Sequence, residues 1–253
     1  MITTRIAYAL RHWLWRTVCG VSGGLTVTGR WRVRGGCVVV ANHASHADTA
    51  VLLAALPAKA RPVFAAAADY WFDVPVRRFV ATSLIGVLPV RRSADDSYAR
   101  LLAAARPALM AGRTVVIYPE GTRSTDGSIG EFRSGALRLA RDCGVPIVPV
   151  SVLGTADVLP KGASFISPGP MQVRIGEPVD PDSASSPRLR AQVMALRGDP
   201  LARARLRAVR RIGIRHASPG RLIRGDTPAG EPAIASRCGR AGPRSPGARS
   251  RRP

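Results

Sequence analysis

The sequence predicts a single α/β domain: a mixed, largely parallel sheet flanked by helices, preceded by an N-terminal amphipathic helical segment and followed by a disordered, Arg-rich C-terminal tail. Three observations carry that prediction. From residue 36 onward, short β-branched runs alternate with longer stretches of helical periodicity. The composition, 46% apolar with 5% aromatic residues over 253 positions, suffices for one good core and excludes a wholly disordered chain, a coiled coil or a fibre. The charge is lopsided: residues 1–180 hold 21 basic and 12 acidic residues, whereas residues 181–253 hold 17 and 4. The expected segments are therefore 1–30, an amphipathic membrane-associating leader; 31–182, the folded domain; and 183–253, a basic, largely disordered tail.

Residues 5–19 mix Tyr8, Trp13 and Trp15 with Arg5, Arg11 and Arg16 and carry no signal-peptide cleavage site. Trp and Arg both favour the headgroup level, so this segment reads as a helix lying in a membrane surface; its periodicity fits a helix packed on the domain core equally well. No run approaches the roughly 18 apolar residues of a membrane span. Strands and helices then take turns: strand at 37–41 and helix at 46–56; strand at 62–65 and helix at 73–83; strand at 85–90 and helix at 95–111; strand at 114–118 and helix at 134–142; strands at 146–152 and 171–175. Residues 183–216 allow one or two Arg-rich helices interrupted by Gly198 and Pro200, whereas 217–253 lack apolar periodicity. Cys19, Cys37, Cys143 and Cys238 are scattered, with no Cys-x-x-Cys and no clustered His. That spacing points to neither a disulfide framework nor a zinc site, and to a reducing, intracellular setting.

Functional loops of such sheets lie at the carboxyl ends of strands, so the residues after each β-branched run carry the chemistry. The first run leads into Asn42-His43-Ala44-Ser45-His46-Ala47-Asp48. On a continuous helix the step from His43 to Asp48 would leave the two side chains about 140° apart, so their contact requires His43 to sit in the turn before the helix. There Asp48 can accept the Nδ1 proton of His43, leaving Nε2 to take a proton from an attacking hydroxyl. Ser45-x-x-Asp48 equally matches a helix capping box, and His46 competes for the role of base; the heptad leaves both open.

The strand at 85–90 ends in Arg91 and Arg92, guanidiniums suited to a phosphate at a sheet edge or simply solvated there. The strand at 114–118 leads into Tyr118-Pro119-Glu120-Gly121-Thr122-Arg123-Ser124. Proline stops the strand, glycine permits a close turn, and Glu120 and Arg123 place an acceptor and a phosphate-directed donor on one loop; a plain turn has the same composition. Val145-Pro146-Ile147-Val148-Pro149-Val150 has no chemistry of its own, and its prolines favour an edge strand or a bulge that shapes an apolar wall.

In order, these four segments resemble the glycerophospholipid acyltransferase family, in which 1-acylglycerol-3-phosphate acyltransferases carry a His-x4-Asp motif, a Gly-x5-Arg strand, a Pro-Glu-Gly-Thr-Arg-Ser loop and a Val-Pro-x-x-Pro-Val type segment. The resemblance spans residues 42–150, and its first and third motifs are the specific ones. It implies that 31–182 is an acyltransferase domain, with His43 as general base and Asp48 as its orienting partner. It further implies that Arg92, Glu120, Gly121, Thr122 and Arg123 bind the phosphate-bearing acceptor, with no metal and no cofactor beyond acyl-CoA or acyl carrier protein as co-substrate. The implied reaction moves a fatty acyl group from that thioester to the free hydroxyl of a lysophospholipid, 1-acylglycerol-3-phosphate giving phosphatidate. The implied location is peripheral, at the cytoplasmic face of the cell membrane.

Two departures from the family pattern bear on the substrate. Arg91 stands where acidic residues are common, which leaves open whether it or Arg92 faces the site. The stretch 64–73 lacks the lysine frequent before the second motif, so another lipid or a glycolipid stays in view as acceptor. Tyr70, Trp71 and Phe72 in that stretch fit an acyl tunnel, a membrane-facing lip or plain core. The net charge of +22 favours an anionic membrane surface as partner. A non-catalytic basic module is the competing reading, but residues 181–253 contain no Phe, Tyr or Trp to stack on bases, which disfavours nucleic acid.

Overall fold

The computed structural model describes residues 2–67, 84–90, 97–160, 162–163 and 165–198. Arg91, Arg92, the expected 73–83 helix, the cluster of Tyr70, Trp71 and Phe72, and the tail beyond residue 198 lie outside the described residues. The β-branched runs form seven strands: β1 (Leu25–Thr28), β2 (Cys37–Ala41), β3 (Val63–Ala67), β4 (Val87–Val90), β5 (Thr114–Ile117), β6 (Ile147–Leu153) and β7 (Met171–Ile175). They make one sheet in the order β1-β7-β6-β2-β5-β3-β4. Neighbouring strands are parallel throughout, except β6 with β7, which is antiparallel. The sheet is thus mixed and largely parallel, as the alternating pattern predicts.

Helices cover both faces, which is why β2 is apolar at every position rather than at every second one. Val39 and Ala41 join Leu52, Leu53 and Phe64 on the face covered by α1 (Ile2–Val21) and α2 (Ala47–Ala55). Val38 and Val40 join Leu109, Leu139 and Leu189 on the opposite face, under α3 (Ser97–Met110), α4 (Gly135–Asp142) and the helix Ser186–Arg197. Between β6 and β7 stands a single turn of helix, α5 (Thr155–Val158), and Ser186–Arg197 is therefore α6.

The N-terminal segment is one helix that packs on the domain, and its two sides differ. The inward side of α1 is hydrogen-bonded to the domain: Arg11 donates to the carbonyls of Pro62 and Ile85 at 2.7 and 3.1 Å, Trp15 Nε1 donates to Leu84 O at 2.9 Å, and His12 Nδ1 meets Leu53 O at 3.2 Å. Burial lowers the Arg11 guanidinium to about 10, so it stays charged at neutral pH with carbonyls as its acceptors. On the outer side Ile6, Leu10, Trp13, Leu14 and Val21 are 45–78% exposed. At 100° per residue these five fall within an arc of about 100°.

Three expectations are corrected. The domain does not begin at residue 31, because β1 pairs with β7 as an edge strand; a four-residue strand is too short for its alternation to stand out. Nor does the tail begin at 183. Ser185 caps α6 by accepting from Arg188 N at 3.3 Å, and Leu189 and Val193, one turn apart, are buried on the sheet, a spacing that the density of arginine obscures. Finally, the proline-bracketed strand β6 lies in the sheet interior, between β2 and β7. Pro149 is tolerated because its carbonyl, and hence its amide position, faces the β7 side, where the strand ends at Ile175. The missing N–H falls beside the end of that ladder, and Pro149 O still accepts from Gly176 N at 2.9 Å.

Candidate active site

The carboxyl ends of three adjacent parallel strands, β5, β2 and β6, meet at one place. From the end of β2, Asn42 reaches across to β6: its Nδ2 donates to Val152 O at 2.9 Å and its Oδ1 accepts from Val152 N at 2.8 Å. That pair of bonds extends the parallel ladder through a side chain and fixes where His43 leaves the sheet. The chain bends before α2 begins, as the His43–Asp48 spacing requires.

His43 Nδ1 lies 2.8 Å from Asp48 Oδ2. A carboxylate can only accept, so Nδ1 carries the proton and Nε2 presents a lone pair. Nε2 makes no hydrogen bond to a described residue, and the His43 side chain is 18% exposed while that of Asp48 is fully enclosed. The same Asp48 oxygen accepts from the amides of Ala44 at 2.8 Å and Ser45 at 2.9 Å. Ser45 Oγ in turn accepts from Ala47 N at 3.0 Å and donates to Leu159 O at 2.6 Å. The capping box and the His–Asp pair are therefore not alternatives: one carboxylate closes the helix start and holds the imidazole. His46 stands at the start of α2 beside an apolar cavity, and it is His43 that Asp48 orients.

The imidazole is also held from its face. Tyr118 stacks on His43 with ring centroids 4.0 Å apart and planes 11° off parallel, and the Tyr118 hydroxyl meets Thr49 Oγ1 at 3.1 Å. Burial, with the nearby Asp48 charge, pushes the Tyr118 phenol well above its usual range, so the stacked ring is neutral.

The loop after β5 is tied to the His43 turn by two bonds. Ser124 N donates to His43 O at 2.8 Å, and Glu120 Oε1 accepts from His43 N at 2.7 Å. Glu120 Oε2 accepts from Gly130 N at 2.8 Å, so both oxygens of this 9% exposed carboxylate meet backbone amides. Burial raises the Glu120 pKa, and the amides of Gly130 and His43 pull it part of the way back. A raised carboxylate pKa means that the folded state takes up a proton at higher pH than the unfolded chain does, so this group's contribution to stability falls as pH rises through that window. Glu120→Gln cannot titrate. Melting curves across the acidic range should show the parent protein gaining stability relative to Glu120→Gln as pH falls through the region above the usual glutamate range. A constant difference would count against a burial-raised Glu120.

Gly121 has φ +74°, a turn conformation that favours glycine, and the Arg133 guanidinium rests over it, 3.0 Å from where a Cβ would stand. Thr122 is exposed at the loop's tip, and Arg123 follows it. Arg123 Nη1 is buried with no hydrogen-bond partner among the described residues. A buried cationic N–H without an acceptor is costly unless an anion completes it. Sequence reasoning did not single out Arg133, Thr49, Asn42 or Thr155. Each acts through a partner distant in sequence, and only the turn chemistry of Gly121 gave any hint of a close neighbour.

Beside the His43 turn lies an apolar cavity of about 250 Å³ between α1 and α2. Trp15, Val18, Cys19, Ala50, Ile85 and Met171 contribute to its wall, with His46 and Ala47 at the start of α2. The arrangement thus combines the outward Nε2 of His43, one buried guanidinium nitrogen, Arg123 Nη1, without a partner among the described residues, and an oily recess lined in part by the start of α2. Among the described residues no group of three or more His, Cys, Asp or Glu is placed to hold a metal ion.

Residues 24–153 match the acyltransferase family model, and the chain belongs to that family. It is 34% identical over 144 residues to the chloroplastic 1-acyl-sn-glycerol-3-phosphate acyltransferase BAT2 of Brassica napus, covering 56% of this chain and 40% of that protein. It is 33% identical over 144 residues to the 1-acyl-sn-glycerol-3-phosphate acyltransferase alpha of mouse, covering 56% and 49%. The chain thus spans less than half the length of these relatives. The crystal structure of the 1-acyl-sn-glycerophosphate (LPA) acyltransferase PlsC from Thermotoga maritima superposes with a TM-score of 0.61 at 25% identity, over 83% of this chain and 81% of that one.

Proposed function

We propose that this chain transfers a fatty acyl group from acyl-CoA or acyl carrier protein to the free hydroxyl of 1-acylglycerol-3-phosphate, giving phosphatidate, with His43 as general base. The observation that carries the reading is the 2.8 Å bond from His43 Nδ1 to a fully enclosed Asp48, which leaves Nε2 available toward solvent. As the acceptor oxygen attacks the thioester carbonyl, Nε2 takes the hydroxyl proton and Asp48 stabilises the imidazolium. The tetrahedral intermediate then expels sulfur: the C–S bond breaks and the thiolate takes the proton from Nε2. No covalent enzyme intermediate is required. A non-catalytic basic module has no use for an oriented imidazole of this kind.

Arg123 supplies the acceptor's phosphate with a guanidinium, and the apolar cavity beside the His43 turn takes an acyl chain. Arg123→Ala is expected to raise KM for 1-acylglycerol-3-phosphate on the order of 10- to 100-fold, the worth of a charge-assisted hydrogen bond, with KM for the thioester little changed. An equal rise in both constants would assign Arg123 to the fold rather than to the phosphate. The test of the reaction is a panel of hydroxylated acceptors, including other lysophospholipids and glycolipids, offered with a labelled acyl thioester. Fast thiol release with 1-acylglycerol-3-phosphate supports the reading, and a preference for another acceptor redirects it.

Such a substrate resides in a bilayer, and the outer side of α1 fits one. Its exposed apolar arc is bordered along one edge by Arg5 and Arg16, about 60–80° round the helix, and Phe165 and Ile166 are 87% and 56% exposed, with Ile166 lining the same cavity as Trp15 and Val18. Among the described residues no helix is long and apolar enough to cross a membrane. The chain is therefore expected to bind anionic vesicles peripherally, less tightly as salt is raised, each well-placed basic residue contributing about 1 kcal/mol. Leu10→Ser with Trp13→Ser should release it from vesicles. Equal binding to zwitterionic vesicles at all salt concentrations would contradict the electrostatic part.

A further inference from the structure

We infer that Thr155 is a positioning residue for acyl transfer: its hydroxyl anchors the second oxygen of Asp48 and thereby fixes the aim of His43. The inference rests on His43 acting as the base.

Asp48 is 0% exposed, and three donors, His43 Nδ1–H, Ala44 N–H and Ser45 N–H, all fall on Oδ2. The Cβ–Cγ torsion of a carboxylate is soft and broadly populated, and turning it swings Oδ2 off the imidazole and off both amides. Thr155, 1% exposed, adds a restraint at the other end of the same torsion: its Oγ1 donates to Oδ1. With both oxygens tied, the plane of the carboxylate is set, and so is the lone pair that meets Nδ1–H.

A neutral donor has a second merit at this position. Among the described residues the ion-pair partner of Asp48 is His43 alone. A lysine or arginine in place of Thr155 would neutralise the charge that the imidazolium needs when His43 takes a proton. The hydroxyl satisfies the buried oxygen without that loss.

Thr155 reaches Asp48 from 107 residues away because β6 ends beside β2 and the chain then turns sharply at Gly154. Gly154 has φ +81°, and a Cβ there would come within 2.1 Å of Pro170 O, so only glycine makes the turn. Four residues after Thr155, Leu159 O accepts from Ser45 Oγ. Residues 154–159 thus hold the catalytic turn at both ends, at Asp48 and at Ser45.

The test compares Thr155→Val, which keeps the shape, with Thr155→Ser, which keeps the hydroxyl, in the purified full chain. Thr155→Val is expected to lower kcat on the order of 10- to 100-fold with KM for both substrates within about twofold, and Thr155→Ser to restore most of the loss. In a His43→Ala background, adding Thr155→Val should leave the residual rate unchanged, because the hydroxyl acts only through the imidazole. Near-normal kcat in Thr155→Val, a Thr155→Ser variant as impaired as Thr155→Val, or a further fall in the His43→Ala background would overturn the inference. If Thr155→Val does not fold, Thr155→Ala against Thr155→Ser gives the same contrast. Failure of the parent reading looks different: there His43→Ala itself would leave acyl transfer intact.

Discussion

His43→Ala is expected to lower acyl transfer by on the order of 10² to 10⁴ while leaving the melting temperature close to that of the parent protein. The rate effect follows from geometry. Nε2 is the described basic atom whose ring is oriented at Nδ1 by Asp48, clamped on its face by Tyr118 and fixed through its backbone by Glu120 and Ser124. The stability effect is small because the ring is at the mouth of the site, 18% exposed, and its removal leaves Asp48 with the donors of Ala44, Ser45 and Thr155. KM for the thioester should change little, since positioning of the acyl chain does not pass through this side chain. The check is a steady-state comparison over both substrates together with a thermal melt. Turnover within a few-fold of the parent would remove His43 from the chemistry.

Asp48→Ala should do more, because it damages both the reaction and the fold. Four donors, His43 Nδ1, Ala44 N, Ser45 N and Thr155 Oγ1, lose their common acceptor in a site that water does not reach. Each buried donor left without an acceptor costs about 1–3 kcal/mol, so those of the buried Ser45 and Thr155 alone together cost about 2–6 kcal/mol. For a domain of this size that corresponds to a fall in Tm of roughly 4–24 °C. Activity should drop at least as far as in His43→Ala, and the double variant should be no slower than the slower single one, since the two groups act as a unit. Multiplicative losses in the double variant would mean that Asp48 serves catalysis by some route other than His43.

The fold was legible wherever the physics is local. The β-branched run at 37–41 and the strand at 171–175 appear with the expected ends, and the helices expected at 46–56, 95–111 and 134–142 appear within two residues of theirs. What escaped depends on neighbours. Pro149 argues for an edge in any local reading, yet β7 happens to end where the missing N–H would have bonded. The sequence allows a helix ahead of Gly198, but the buried spacing of Leu189 and Val193 hides among arginines, so its packing on the sheet is not legible there.

The site divides along the same line. His43 and Asp48 lie five residues apart, and their pairing could be argued from helix geometry before any coordinates. For Glu120 the sequence shows an acceptor on a loop; which donors meet it, the amides of His43 and Gly130, depends on how two loops pack. Thr155 is beyond local inference altogether, because a threonine after a glycine carries no signal of the carboxylate that β6 delivers it to.

In the proposed reaction an enclosed carboxylate orients one imidazole to deprotonate a lipid alcohol beside a thioester. The most direct measurement is the stoichiometry of the purified full chain with labelled acyl-CoA and 1-acylglycerol-3-phosphate, counting phosphatidate by mass spectrometry and free thiol in the same reaction. One phosphatidate for each thiol, dependent on acceptor and lost in His43→Ala, is the expected result. Thiol released without acceptor, or phosphatidate formed equally well by His43→Ala, would contradict it.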